Sequence, residues 1–283
     1  GQCHVAWYNP LRWKDLGRVN NRTHRKTLVV DGAIAYTGGA GIADHWLGNA
    51  RNEREWRDVQ VRIEGPAAQG LQSGFALNWQ QATGELLSGD AYYPRVGVRG
   101  PYALQVILSN AESGASSVQI VHYLAIVCAR RSILIANPYF VPDAVALQTL
   151  IEARQRGVDV RIMVSGVRND NWLARHNSVR LYGELLAAGV TILEYDRSML
   201  HQKVMVVDGL WATVGTANFD NRSFAHNEES NVCVYDSDIA ARFERAFHDD
   251  MQACVEVTLD RWKRRGLRRR AMEQIAAILE DQV

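Results

Sequence analysis

The hydrophobic positions of this chain fall into short β-branched runs set between turn signals and longer amphipathic stretches. TLVV (27–30) and AIAYTG (33–38) flank an Asp-Gly pair, and VMVV (204–207) and WATVG (211–215) flank another, so each set reads as a two-stranded hairpin. Between the hairpins the period changes. SILIANPYF (132–140) reads as a strand ended by a Pro-bounded turn, DAVALQTLIEARQRG (143–157) as a helix closed by Gly157, and VDVRIMVSG (158–166) as a second strand. HNSVRLYGELLAAG (176–189) reads as a helix ending at Gly189, and VTILEY (190–195) as a strand leading into the second hairpin. Near-continuous apolar strands alternating with helices predict an α/β fold with buried parallel strands.

The two hairpins are copies of one unit. HRKTLVVDGAIAYTGGA from His24 recurs as HQKVMVVDGLWATVGTA from His201, and His24, Lys26, Asp31, Gly32 and Gly38 align with His201, Lys203, Asp208, Gly209 and Gly215. H-x-K then sits on a strand, where its His and Lys project from one face and reach one anion. The second copy follows a long lead-in of strands and helices, whereas the first follows only HVAWYNP (4–10), expected to correspond to the VTILEY strand. The expected organisation is therefore two halves, residues 1–95 and 96–283, the first lacking about three strands and two or three helices at its N-terminal side. The linker falls near TGELLSGDAYYPRVGVRGP (83–101), where Gly, Pro and polar residues cluster.

Composition narrows the function. The 283 residues are 47% hydrophobic, enough for a substantial core, and 32 Lys plus Arg against 31 Asp plus Glu leave a formal charge of +1. That excludes a global basic field, so any cationic surface is local. Cys3, Cys128, Cys233 and Cys254 form no C-x-x-C pair and are expected to be buried free thiols, with no metal cluster. No run approaches the roughly 18–20 apolar residues that cross a bilayer, and no signal-peptide pattern opens the chain.

The repeated residues suit one chemistry. Displacing an alcohol from a phosphodiester needs a nucleophile on one side of phosphorus and a proton donor on the leaving oxygen opposite. Two histidines from two pseudo-symmetric halves fit that in-line geometry, and Lys26 and Lys203 supply fixed positive charge for the phosphoryl oxygens. Asp31 and Asp208, seven residues after the histidines, read as structural turn or ion-pair residues.

The duplicated H-x-K-x4-D, followed by G-G or G-T, resembles the signature of the phospholipase D superfamily. NNRTHRK, EWRDVQVRIEGPA, NPYFVPD, MLHQKVMVVDG, TANFDNRSF and NEESN resemble its bacterial cardiolipin synthase branch. The resemblance implies two pseudo-symmetric α-β-α halves sharing one active site, with no cofactor and no metal. It implies phospholipid substrates, phosphatidylglycerol above all, and a bacterial membrane surface as partner, held peripherally or through upstream segments; no nucleic acid or obligate protein partner is expected. The implied reaction is phosphatidyl transfer to a lipid hydroxyl, making cardiolipin through a phosphohistidine, with His24 as nucleophile and His201 as acid and base. Hydrolysis by a phospholipase D or nuclease on the same scaffold, and a catalytically inert lipid-binding fragment, are the alternatives that the motifs leave open.

The same resemblance assigns further residues. A carboxylate downstream of each motif orients its histidine: Glu229 for His201 and Asp58 for His24, with strand alternation favouring Glu229 over Glu228. Asn218 and Thr216 match phosphate-contacting positions. The first copy has Gly41 and Gly39 there, so either backbone N–H groups of Gly38, Gly39 and their neighbours, with Gly215 in the other half, bind phosphate, or the second half does so alone. Asp220, Asn221, Arg222 and Ser223 read equally as substrate contacts or loop builders. Trp7, Tyr8, Trp13 and Trp46 read as core, or as an apolar entrance for acyl chains. The basic C-terminal segment, with its stripe of Met272, Ile275, Ile278 and Leu279, suits either an anionic bilayer or packing on the domain.

Overall fold

The computed structural model describes residues 3–10, 22–110 and 116–278. The first part forms β1 (Arg22–Thr23), the hairpin β2 (Thr27–Val30) and β3 (Ile34–Gly38), β4 (Gln60–Glu64) and helix α1 (Ala67–Thr83). There follow β5 (Ala103–Leu108), α2 (Ser117–Cys128), β6 (Ser132–Ala136), β7 (Phe140–Val141), α3 (Ala144–Gln155), β8 (Asp159–Ser165), α4 (Trp172–Ala187) and β9 (Thr191–Tyr195). After the second hairpin, β10 (Val204–Val207) and β11 (Trp211–Gly215), come β12 (Phe219–Asp220), α5 (Asn221–Ala225), β13 (Asn227–Glu228) and β14 (Ser230–Tyr235). The last elements are α6 (Ser237–Met251), β15 (Cys254–Val257), α7 (Leu259–Lys263) and α8 (Leu267–Ile278).

The expected α/β fold forms. One sheet has the order β15-β9-β8-β6-β10-β11-β14-β5, with β6, β8 and β9 mutually parallel and its other pairings antiparallel. The apolar run of the parallel strand β6 does not alternate: Ile133, Leu134, Ile135 and Ala136 are all buried because helices cover both faces. Residues of α2, α3 and α4 close one face over Ile133, Ile135 and Ile162, while Phe247 of α6 closes the other over Leu134, Met163 and Leu193. The second, antiparallel sheet, β2-β3-β4, is smaller. Its Ala35 and Ile63, with Ala68 and Leu71 of α1, share one core with Val214, Val232 and Val234 of the large sheet, and that shared burial fixes the two hairpins against each other.

Several local expectations change. H-x-K is not in a ladder but in the residues just ahead of β2 and β10. Residues 4–10 form no strand; instead the Tyr8 hydroxyl lies 2.7 Å from Glu228 Oε1 and 2.8 Å from Gln81 Oε1. Helix α4 starts at Trp172, earlier than its apolar period suggests, because the Asn171 side chain caps it by accepting from the N–H groups of Leu173 and Ala174. All four cysteines are free, but Cys3 and Cys128 are exposed and Cys254 is half-buried, leaving Cys233 alone buried. Cys128 ends α2 one turn beyond exposed Leu124, on the outer face of the helix. Helix α8 docks on the domain with Glu273 and Ala276 buried and Ile275 and Ile278 exposed; Trp13 and Leu279 lie outside the described residues. No described helix is long and apolar enough to cross a membrane.

The motif aspartates sit in left-handed turn positions, φ 52° at Asp31 and 57° at Asp208. Asp208 accepts the backbone N–H groups of Arg130 (2.9 Å), Arg131 (2.7 Å) and Ser132 (2.9 Å), tying the start of β6 to the second hairpin; Asp31 is exposed. Partial burial works to raise the Asp208 pKa, but the three N–H groups hold it below the usual carboxylate value. Asp208→Ala is expected to cost about 2 kcal/mol in a urea-unfolding titration at pH 7. Because the folded pKa is depressed, this contribution is present at neutral pH and vanishes as pH falls through the folded value.

Candidate active site

Two short junctions bring the repeats together. β1 runs parallel to β13 with Arg22 opposite Asn227 and Thr23 opposite Glu228, and the His24 N–H donates to the Glu228 carbonyl at 2.9 Å. On the other side Arg57 pairs in parallel with Leu200, the Arg57 N–H donates to Met199 O at 2.8 Å, and the His201 N–H donates to Arg57 O at 2.7 Å. One residue further along each junction, His24 meets Glu229 and His201 meets Asp58. The His24 Nδ1 lies 3.0 Å from both Glu229 oxygens, and the His201 Nδ1 lies 2.8 Å from Asp58 Oδ2.

The expected pairing is therefore reversed. Each histidine is oriented by the carboxylate that follows the other motif, because β1 lies along β13 and Arg57 lies along Leu200. Glu229, not Glu228, holds the ring, as alternation predicts. Glu229 is fully buried and also accepts from the Thr216 hydroxyl and from Asn227 Nδ2 at 3.3 Å. Its burial works to raise its pKa, but His24, Thr216 and Lys26 outweigh that and hold it below the usual carboxylate value. Thr216 is thus a partner of the carboxylate. Asp58 accepts Trp46 Nε1–H at 2.9 Å, and the Trp46 and Trp56 rings stand 5.7 and 5.2 Å from the His201 ring. Trp46, read as core or entrance, is a positioning residue.

With Nδ1 given to a carboxylate, each imidazole keeps Nε2 for chemistry. Lys203 Nζ lies 3.1 Å from His201 Nε2 and donates to the His201 carbonyl; Lys26 Nζ donates to the His24 carbonyl at 3.1 Å. Burial pushes Lys203 down to about 7 and His201 down to about 4, with Lys203 and then Lys26 adding to the fall at His201. That Lys26 of one repeat acts on His201 of the other, and on Asp58, brings both motifs into one electrostatic site. With its pKa at about 4, His201 is neutral at pH 7. A phosphodiester anion beside the two lysines offsets their charge and raises its proton affinity.

The glycines do a different job from the expected one. A Cβ on Gly39 would stand 2.3 Å from Asp58 Oδ1, on Gly38 2.1 Å from the Val59 carbonyl, and on Gly215 2.3 Å from the Ser230 carbonyl. The Gly39 N–H donates to Val59 O and the Gly215 N–H to Lys203 O, so these amides are committed to the fold. Asn218 is buried with Oδ1 unpartnered, and its N–H donates to Ser223 Oγ. Asp220 caps α5 through the Ser223 N–H at 2.7 Å and is pushed up to about 6 by burial, although His24 and Lys203 act against the rise.

Residues 124–251 match the family model described as "Cardiolipin synthase, PLD-like domain". The chain is 38% identical over 264 residues to a cardiolipin synthase of Staphylococcus aureus, covering 93% of this chain and 53% of that protein. It is 35% identical over 273 residues to cardiolipin synthase 2 of Bacillus anthracis, again covering 53% of the relative. The chain belongs to the phospholipase D superfamily. It spans about half the length of the curated relatives it matches. The solved phosphatidylserine synthase of Haemophilus influenzae shares the fold, with a TM-score of 0.66 at 16% identity over 93% of this chain and 69% of that one.

In this superfamily member the crossed junctions are specified by charge. Arg25, between His24 and Lys26, donates to Asn78 Oδ1 at 2.9 Å and to the carbonyls of Gly74 and Ser109, and lies 3.7 Å from Glu228; Asn78 also donates to Glu228. At the other junction Gln202, between His201 and Lys203, donates to Asp250 at 3.0 Å, and Arg57 pairs with the same carboxylate at 2.8 Å. Each cluster holds one cation, one anion and one amide, distributed differently. A swapped docking would set Arg25 against Arg57, and like charges buried together oppose it.

Proposed function

We propose that this protein transfers a phosphatidyl group from phosphatidylglycerol to the hydroxyl of a second phosphatidylglycerol, forming cardiolipin and glycerol. Residues 1–95 and 96–283 act as its two halves, and the reaction runs at their junction on a membrane surface. His24 Nε2 attacks phosphorus, the bond to the glycerol oxygen breaks, and His201 Nε2–H gives its proton to that oxygen. The acceptor hydroxyl then loses its proton to His201 Nε2 and attacks phosphorus, and the bond to His24 breaks. Lys26 and Lys203 offset the charge on the phosphoryl oxygens throughout, and the Asn218 side-chain N–H donates to one of them. Glu229 and Asp58 hold the rings and their Nδ1 protons.

The observation that carries this reading is the pair of imidazoles, each gripped at Nδ1 by a buried carboxylate of the other half, with a lysine two residues on. Similarity to cardiolipin synthases favours a lipid acceptor over water. The test is a product assay with labelled phosphatidylglycerol in vesicles. Cardiolipin and free glycerol should appear and should be lost in His24→Ala and His201→Ala; phosphatidic acid alone would replace transfer by hydrolysis.

A further inference from the structure

The rim of the active site carries apolar side chains that the core does not use. Ile42 is fully exposed and Leu47 is 73% exposed on one loop, while Val167 and Trp172, after β8, are 66% and 49% exposed on another. Both loops border His201. Trp46 and Trp56 stand against its ring from the first, and Tyr139, whose hydroxyl donates to Asp170 of the second, stands 6.5 Å from the ring. Arg168 joins the loops through an ion pair with Glu53. From Trp172 the surface continues along α4. The indole lies 5.7 Å from the His176 ring, and His176 shares a cleft with Arg268, Arg269 and Met272 of α8. There Leu267 is 82% exposed, and residues 263–270 hold six Lys or Arg and no acid.

We propose that this continuous face is where the protein lies on an anionic phospholipid bilayer, with Ile42, Leu47, Val167, Trp172 and Leu267 entering the boundary between headgroups and acyl chains. The inference rests on the lipid-transfer reading and names its docking surface. Three features select a bilayer as the occupant. Apolar tips stand on both loops that border His201, where a lipid headgroup must enter. An exposed tryptophan suits the interfacial region. A dense cationic run beside them, on a chain of net charge +1, complements anionic headgroups. The outer face of α2 also exposes Ile120, Leu124 and Val127, but it flanks a cleft lined by Leu124, Cys128 and Leu210 at the β10–β11 turn. That turn is the end of the hairpin away from His201, so docking there would turn the mouth to water.

Sedimentation with vesicles of phosphatidylglycerol and phosphatidylcholine, against vesicles of phosphatidylcholine alone, tests the surface. Binding should require phosphatidylglycerol and weaken with salt. Trp172→Ser with Leu267→Ser should lower partitioning at least about tenfold, and Arg264→Glu with Arg268→Glu, which change only exposed side chains, should lower it by roughly as much. Ile120→Ser with Leu124→Ser should leave it unchanged, as should His201→Ala. Absence of vesicle binding by the parent, parental binding by both rim pairs, or loss of binding in the α2 pair would overturn the proposal. Vesicle binding with the predicted pattern but no cardiolipin formation would overturn the transfer reading instead and keep the surface.

Discussion

Single-turnover release of nitrophenolate from a phosphatidyl nitrophenyl ester will sort the four site residues into two pairs, His201 with Asp58 and His24 with Glu229. On phosphatidylglycerol, His201→Ala and Asp58→Asn should each slow the first step by about 10³-fold, because leaving glycerol needs a proton. Nitrophenolate leaves without one. Both variants should therefore recover most of the lost rate on the nitrophenyl ester, whereas His24→Ala and Glu229→Gln, which remove or misorient the nucleophile, should not. The crossed contacts demand this grouping: His201 to Asp58 at 2.8 Å and His24 to Glu229 at 3.0 Å. Recovery by Glu229→Gln in place of Asp58→Asn would mean that each half orients its own histidine.

The second large effect is a trade of stability for activity at Lys203. Its side chain is 2% exposed, and burial pushes its pKa from 10.5 down to about 7. The unfolded chain thus binds this proton more tightly than the folded one. The penalty on folding is complete below pH 7 and is relieved as pH rises from about 7 towards 10.5. Lys203→Met should abolish turnover, since the phosphoryl oxygens lose a fixed cation beside His201. The same variant should raise stability at pH 6 by about 1–2 kcal/mol, with the gain shrinking at pH 9. Calorimetry at both pH values reads this directly. A lower melting temperature at pH 6 would show that Lys203 is held by its neighbours more strongly than it is penalised by burial.

Much of this was legible in the chain. The repeat located both histidines, both lysines and the two hairpins, because H-x-K-x4-D-G spans the approach to a strand, the strand itself and its turn, which any copy must repeat. The buried parallel strands were legible too, since runs such as SILIA admit no wet face. The crossing was not. It depends on junctions of only two paired residues, β1 with β13 and Arg57 with Leu200, and segments so short carry no period. Its signal lay in charges that only proximity explains: Arg25 and Gln202 occupy equivalent places inside the motifs and are opposed by Glu228 and by Arg57 with Asp250.

Trp46 was misread for a related reason. As a lone aromatic it resembles core, and its bond to Asp58 depends on the glycines around it. A Cβ on Gly39 would strike the Asp58 carboxylate, and one on Gly41 would come within 2.9 Å of the Trp46 ring. Gly39 and Gly41, within the GGAG stretch offered as one of two phosphate-binding alternatives, give the clearance that lets tryptophan and aspartate meet behind His201. The N-terminal segment differs in the opposite direction: HVAWYNP holds the place ahead of its motif that the VTILEY strand holds ahead of the other, yet Tyr8 is fixed by Glu228 and Gln81 and no neighbouring strand pairs with it among the described residues.

On the proposed path a phosphatidyl group is held covalently on His24 while His201 exchanges one alcohol for another. Rapid quenching into base after mixing with phosphatidyl-³²P-glycerol, followed by peptide mapping, measures it most directly. An acid-labile, base-stable label is expected on the peptide containing His24, absent in His24→Ala and retained in Asp58→Asn with the nitrophenyl ester as donor. Label on the His201 peptide, or cardiolipin formed with no labelled peptide at any quench time, would contradict it.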